Sequence, residues 1–177
     1  LNVIYQDKAY ALTFRSTEDP DRTLTFFEPT SASGLAPIKA RSEHLLSLLD
    51  QVDNYAALAR QYPAMVERIE RVDLGTVSEH AGVTTVIESV FRFKTDDALV
   101  FKLRVENRTA KPIVYSPAHL AVQVGAKSFP VALTDASGEV PAGQSAAITL
   151  AIVGNPDGTR ANLSVKNRFL ITLPTLE

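Results

Sequence analysis

No cysteine occurs among the 177 residues, which excludes a disulfide framework, a thiolate metal site and a cysteine nucleophile within this chain. Tryptophan is absent as well, so a carbohydrate platform would lack the aromatic residue best suited to it. Charge of one sign is also missing. Eighteen Lys and Arg face twenty Asp and Glu, a net of −2, and no broad basic field exists to hold nucleic acid or an anionic membrane. No apolar run approaches the roughly 20 residues that span a bilayer. Neither a nucleic-acid partner nor a transmembrane span is therefore expected.

The usual marks of catalysis are lacking too. No G-x-S-x-G nucleophile elbow is present. The three histidines, His44, His80 and His119, are isolated, and none has a ligand-type neighbour at the spacings a metal site uses. The acidic stretch "STEDPDR", with Glu18, Asp19 and Asp21, has no spaced ligands or glycine turn of a calcium loop and reads as a solvated turn. In "GNPDG" no Lys-Ser or Lys-Thr follows, so it reads as a turn rather than a phosphate cradle. The expectation is no catalytic, cofactor-binding or metal-binding residue, no cofactor and no enzymatic activity. A hydrolase would need one of the three histidines to meet a carboxylate and a hydroxyl in one cleft.

What is present is pattern. Residues 1–39 read as a small β segment: a polar Asp7-Lys8 tip separates two strand-like runs, Tyr10, Leu12 and Phe14 share a face, and "TLTFFE" offers a third strand. Residues 40–74 switch to helical spacing. Leu45, Leu48, Leu49 and Val52 fall at i, i+3, i+4 and i+7, and Asp53 stands where an N-cap would open a second helix carrying Tyr55, Leu58, Tyr62, Val66 and Ile69. Pro63 must kink that helix or begin a new one. The pair forms a helical connector packed on a sheet.

From residue 75 to 177 the period is two. Strand-like runs occur at "TTVIESVFRFK", "ALVFKLRVE", "KPIVYS", "HLAVQVG", "KSFPVALT", "SAAITLAIV" and "VKNRFLITLP", separated by turn chemistry such as Thr95-Asp96-Asp97 and Gly125-Ala126. About seven short strands with regular turns predict an antiparallel immunoglobulin-like β-sandwich. Pro130 cannot donate to a ladder and marks an edge or a bulge. The predicted fold class is thus mainly β with a helical connector, a C-terminal sandwich and a small N-terminal β segment.

Two N-x-Ser/Thr triplets, at Asn107 and Asn162, would be glycan acceptors only in a eukaryotic secretory setting; Asn107 is equally well explained as a turn residue. Arg104, Arg108 and Lys111 beside Tyr115 form a small basic group, yet alternation puts Arg104 on an outward face, where charge is expected anyway.

The stretch "LVFKLRVENRTAKPIVYSPAHLAVQV" resembles a pattern found in TraN proteins of conjugative transposons: an apolar strand, an Asn-containing turn, a tyrosine, then a second strand. The ending "NPDGTRANLSVKNRFLIT", with the basic-Asn pair Lys166 and Asn167, is similar to that family's closing segment. The likeness covers residues 72–177. "VENRTAKPIVYSP" followed by "VPAGQSAAITLAI" also resembles immunoglobulin-like modules of bacterial envelope proteins. The resemblance implies a structural subunit of a type IV secretion (conjugation) apparatus, periplasmic or outer-membrane-associated. Such a subunit docks onto other protein subunits of an envelope assembly and can form oligomers. The other expectation is an immunoglobulin-like binding module of an envelope protein or adhesin. Because the chain opens on Leu1 rather than Met, an upstream segment is expected, and a signal peptide would lie there.

Overall fold

The computed structural model describes residues 2–5, 8–11, 42–155 and 159–176. The chain divides into two compact units, Leu1–Thr30 and Ser31–Glu177. In the first, β1 (Asn2–Tyr5) and β2 (Lys8–Ala11) pair antiparallel, with Tyr5 opposite Lys8 and Asn2 opposite Ala11. The "TLTFFE" strand, Leu12 and Phe14, and the acidic stretch around Glu18 lie outside the described residues.

The second unit is a mainly β, antiparallel sandwich with a helical layer on one side. Its larger sheet has the order β3-β4-β5-β11-β9, from strands Ile69–His80, Val83–Phe93, Ala98–Asn107, Ser145–Val153 and Leu133–Thr134. A three-stranded sheet, β12-β7-β8 (Phe169–Thr172, Ala121–Val124, Lys127–Pro130), and a two-stranded one, β10-β6 (Glu139–Val140, Ile113–Val114), supply the facing layer. Strand β5 pairs with β11 only after the chain has visited the facing layer, which gives a crossover of Greek-key type. One hydrophobic cluster joins the layers: Leu99, Phe101, Leu103 and Val105 of β5 with Ile148, Leu150 and Ile152 of β11, against Val122, Phe129 and Phe169.

The sequence of β5 shows why a helix is also needed. Its first four residues, Ala98 to Phe101, are all buried, whereas after them only every second residue is. A continuous apolar run requires cover on both faces, and alternation requires it on one. Helix α1 (Ser42–Asp53) supplies the second cover: Leu45, Leu48, Leu49 and Val52 pack on Phe91, Phe93, Ala98, Val100 and Ala151. The helix ends where the sheet's outer face turns polar. There Asp53 receives Lys102 at 3.0 Å and the Thr149 hydroxyl at 3.3 Å. At the other end of α1, His44 meets Asp96 of the β4–β5 turn at 2.7 Å.

Several local expectations change. Asp53 does not cap the second helix. It closes α1, its carboxylate is used by the sheet, and Asn54 precedes α2 (Tyr55–Gln61) without a side-chain cap bond. Pro63 does open a new short helix, α3 (Pro63–Val66), where its missing N–H is harmless. Ile69 is not helical but begins β3; Val66 and Ile69 share one cluster with α1, so the i, i+3 spacing reported common burial rather than common conformation. The run "KSFPVALT" splits between sheets. Pro130 ends β8 at a sheet edge, Val131 still bonds Leu120, and Ala132 already bonds Ala151 of the larger sheet.

Tyr115, at 1% exposure, stands inside the main core, and its hydroxyl has no hydrogen-bond partner among the described residues. Burial raises this hydroxyl above the ordinary phenol range; polar groups of Gly138 and Ser137 oppose the rise and the Asp135 charge adds to it. A folded-state pKa above the unfolded value of about 10 contributes stability at lower pH that is lost as pH climbs through the raised value. Tyr115→Phe is therefore expected to be neutral to stabilising at pH 7, within about 1 kcal/mol, because no bond is broken. In urea melts above pH 10 the parent should lose stability through this group while the variant does not.

Candidate functional site

The residues singled out in the sequence do not converge. His44 serves the helix–turn contact described above. His119 sits in a 3-10 turn, Pro117–His119, where its Nδ1 meets Ser116 Oγ at 2.8 Å, a contact within one turn. His80 ends β3, while Asp96, the partner of His44, follows the far end of β4. The 11 residues of β4 separate those ends by roughly 35 Å. Among the described residues no three His, Asp or Glu side chains are placed to share a metal ion.

Asn107 is a structural node. At 1% exposure, its Nδ2 donates to the carbonyls of Lys111 (2.8 Å), Val140 (3.0 Å) and Pro141 (3.1 Å), and its Oδ1 accepts from the Thr109 N–H and hydroxyl. A glycan could not be seated there in the folded chain. Asn162 is exposed at φ 52°, and its N–H donates to Asp97. Asp97 is the second such node: its buried carboxylate accepts the consecutive N–H groups of Ala161, Asn162 and Leu163, and Arg160 donates to the carbonyls of Lys94 and Thr95 in the same turn. Sequence reading placed Asp97 in a turn but could not see that its partners lie some 65 positions away.

The basic group is matched by acid. Arg104 bonds Glu88 at 3.1 Å and also Glu106, and Arg108 bonds Glu106 at 3.2 Å and Glu79 at 3.1 Å. The hydrogen bond that Arg104 donates to Glu88 and the charge of Glu106 hold its guanidinium above the ordinary pKa. Two arginines thus face three glutamates on the uncovered part of the outer sheet face.

A cavity opens at one end of the sandwich. A cleft of about 660 Å³ runs between residues 78–85 of the β3–β4 hairpin and residues 170–175. Val83, Ile171 and Leu173 belong to the main core cluster but are only partly buried, so the core opens here. Leu170, 45% exposed, lines the cleft, and Val77, 57% exposed, precedes its lining residue Ser78 in the sequence. His80 and Ser78 line the cleft, yet no hydrogen bond joins His80 to Ser78 or Glu79 among the described residues.

Among the described residues, one wall of the cleft is an unpaired sheet edge. β3 pairs with β4 on one side and is the outermost strand of its sheet. The hairpin closes at His80 and Val83 through Ala81 and Gly82, with φ of 49° and 81°, the two positive values of a type I′ turn. In such a hairpin the closing pair and every second pair exchange bonds between the strands. His80 and Ser78 therefore face β4, and the N–H and C=O of Glu79 and Val77 point out from the edge. The tip is held rigid from behind. The Arg108 N–H donates to the Gly82 carbonyl at 2.9 Å, and a Cβ at Gly82 would meet the Thr109 methyl at 2.7 Å.

No protein-family model and no curated protein matches the chain. Two solved structures are similar at low level. A conserved hypothetical protein from Bacillus anthracis is 8% identical, with 62% of this chain and 98% of that one covered and a TM-score of 0.40. A functionally unknown protein from Listeria monocytogenes EGD-e is 9% identical, with 59% and 86% covered and a TM-score of 0.38.

Replacing Asn107 by Ala takes this donor from the buried Val140 carbonyl and from the carbonyls of Lys111 and Pro141, and loosens the loop behind the hairpin tip. A loss of about 2–4 kcal/mol in unfolding free energy is expected from denaturant titration, with faster amide exchange at Gly82 and Arg108 than in the parent.

Proposed function

We propose that this chain is a non-enzymatic docking module of a cell-envelope assembly, which takes an extended segment of a second polypeptide chain along the outer edge of β3. The observation that supports this reading is the outward-facing backbone at Val77 and Glu79, set beside a cleft in which core side chains remain half-exposed. Main-chain bonds to such an edge supply affinity, and alternate side chains entering the cleft supply selectivity. Proteins usually blunt long edges, and β3 is blunted only in part. A register shift with Gly75 at φ 62° interrupts it between Asp73 and Thr76, leaving the hairpin-end half straight. The narrower reading, a TraN-like subunit of a conjugation apparatus at the periplasm or outer membrane, is supported by the resemblance of residues 72–177. An adhesin or other immunoglobulin-like envelope module would use the same surface with a different partner.

A photo-crosslinking residue at position 77 or 170, in the cell that makes the protein, should yield discrete protein adducts, whereas one at exposed Lys166 should not. Val77→Pro removes an outward N–H that β4 does not use. It should leave the melting temperature within a few degrees and reduce adducts from position 170 by tenfold or more. Adducts with conjugation proteins of the envelope support the narrower reading; adducts with cytoplasmic proteins alone contradict the envelope. Absence of adducts from both positions overturns the docking function.

A further inference from the structure

We infer that the occupant of the β3 edge is the β3 edge of a second copy of this chain, in an antiparallel two-fold pairing that sets Gly75 opposite Gly75. This rests on the reading of β3 as a docking edge and names its partner. The case is carried by charge. The strand reads Ile69-Glu-Arg-Val-Asp-Leu-Gly-Thr-Val-Ser-Glu-His80, with an acid followed by a base at each end, in the same order along the chain. Reversed on itself about Gly75, it places Arg71 against the partner's Glu79 and Glu70 against the partner's His80. Asp73 then faces the partner's Val77, Val72 faces Ser78, and Leu74 faces Thr76. No like charges meet.

Backbone geometry agrees. Residues whose side chains lie on the same face of a strand send their N–H and C=O to the same side. Arg71 and Asp73 share the outer face with Val77 and Glu79: Arg71 reaches Tyr55 and Phe91 under the helical layer, and Glu79 reaches Arg108. All four therefore present bonding groups to the free edge, and the register pairs Arg71 with Glu79 and Asp73 with Val77. A slip of two residues in one direction brings Glu79 against the partner's Asp73. A slip in the other brings it against Ile69. Only the Gly75-centred register satisfies both ends.

Of the charges that would meet, Arg71 and Glu79 have capacity left, while Glu70 holds Arg92 with both its oxygens. Arg71 uses Nε and Nη2 on Asp73, so Nη1 makes no side-chain hydrogen bond among the described residues. Glu79 uses Oε1 for Arg108 and Thr84, so Oε2 likewise has none. Arg71 and Glu79 are 40% and 62% exposed. The bulge, which would spoil pairing with a regular strand, falls on the two-fold axis, where both copies are irregular together. A Cβ at Gly75 would meet nothing within 4 Å, so the chain itself does not crowd that point.

Sedimentation of the full chain at about 100 μM should show a dimer. Arg71→Glu and Glu79→Arg, each confirmed folded by thermal melt, should each weaken dimerisation at least tenfold, about 1.4 kcal/mol. The double variant R71E/E79R restores both cross-copy pairs and should return to within about threefold of the parent. Val77→Pro serves as a second edge-blocking variant and should be monomeric. A monomer at this concentration, single variants that dimerise like the parent, or a double variant as weak as the singles would overturn the self-pairing. Crosslinks from position 77 to other proteins, with a monomer in sedimentation, would overturn it while sparing the docking function. Loss of all crosslinks would remove both.

Discussion

Strand β5 must be buried on both faces at its start and on one face thereafter, and the rest of the unit follows from that. Its start, Ala98 to Phe101, sits between α1 and the facing sheet, and its end carries Lys102, Arg104 and Glu106 toward the outside. β4 and β11 change character at the same level. Val90, Phe91 and Phe93 lie at the helix-covered end of β4, and Ile148 to Ile152 occupy that end of β11. Each fully buried Leu, Ile or Phe contributes roughly 1.5–3 kcal/mol relative to exposure. A helix laid over one half of a sheet is therefore a large term, and its length is fixed by where the charged residues begin.

Two polar nodes hold the loops in which regular pairing fails. Asp97 gathers three consecutive N–H groups of the 161–163 segment, and Asn107 gathers three carbonyls from the 111 and 140–141 segments. Buried polar groups persist where their bonds are made and destabilise where they are not. Both nodes lie at ends of β5, so the strand that organises the core also organises the loops. The node at Asn107 bears on function, because the loop it pins supports the hairpin tip beside the cleft.

The fold was legible wherever period and burial coincide. The leucines of α1 and the alternation in β5 appear as read, and of the edge or bulge that Pro130 marks the structure has the edge. Reading was weaker where one spacing fits two conformations: Ile69 continued a helical pattern and yet opens β3. It was weaker again where a strand is two residues long, as with Glu139 and Val140 of β10. The cleft left no local mark, since its walls are separated by some ninety residues of chain and appear only when β3 and the closing strand become neighbours. The Asx and Asp nodes were visible as turn residues, while their long-range partners were not. The edge itself had one signal in the sequence, a strand in which acid and base stand at equal distances on the two sides of a glycine.

Edge strands normally carry some guard, and here the guard covers only the centre of β3. Amide exchange resolved by residue tests this most directly, comparing dilute chain with chain concentrated enough to assemble. The account requires Val77 and Glu79 to exchange rapidly when dilute and to become protected on assembly, with Ser78 and His80 slow throughout because they bond β4. Rapid exchange at Val77 and Glu79 under every condition, or equal protection of all four amides in the dilute chain, would contradict it.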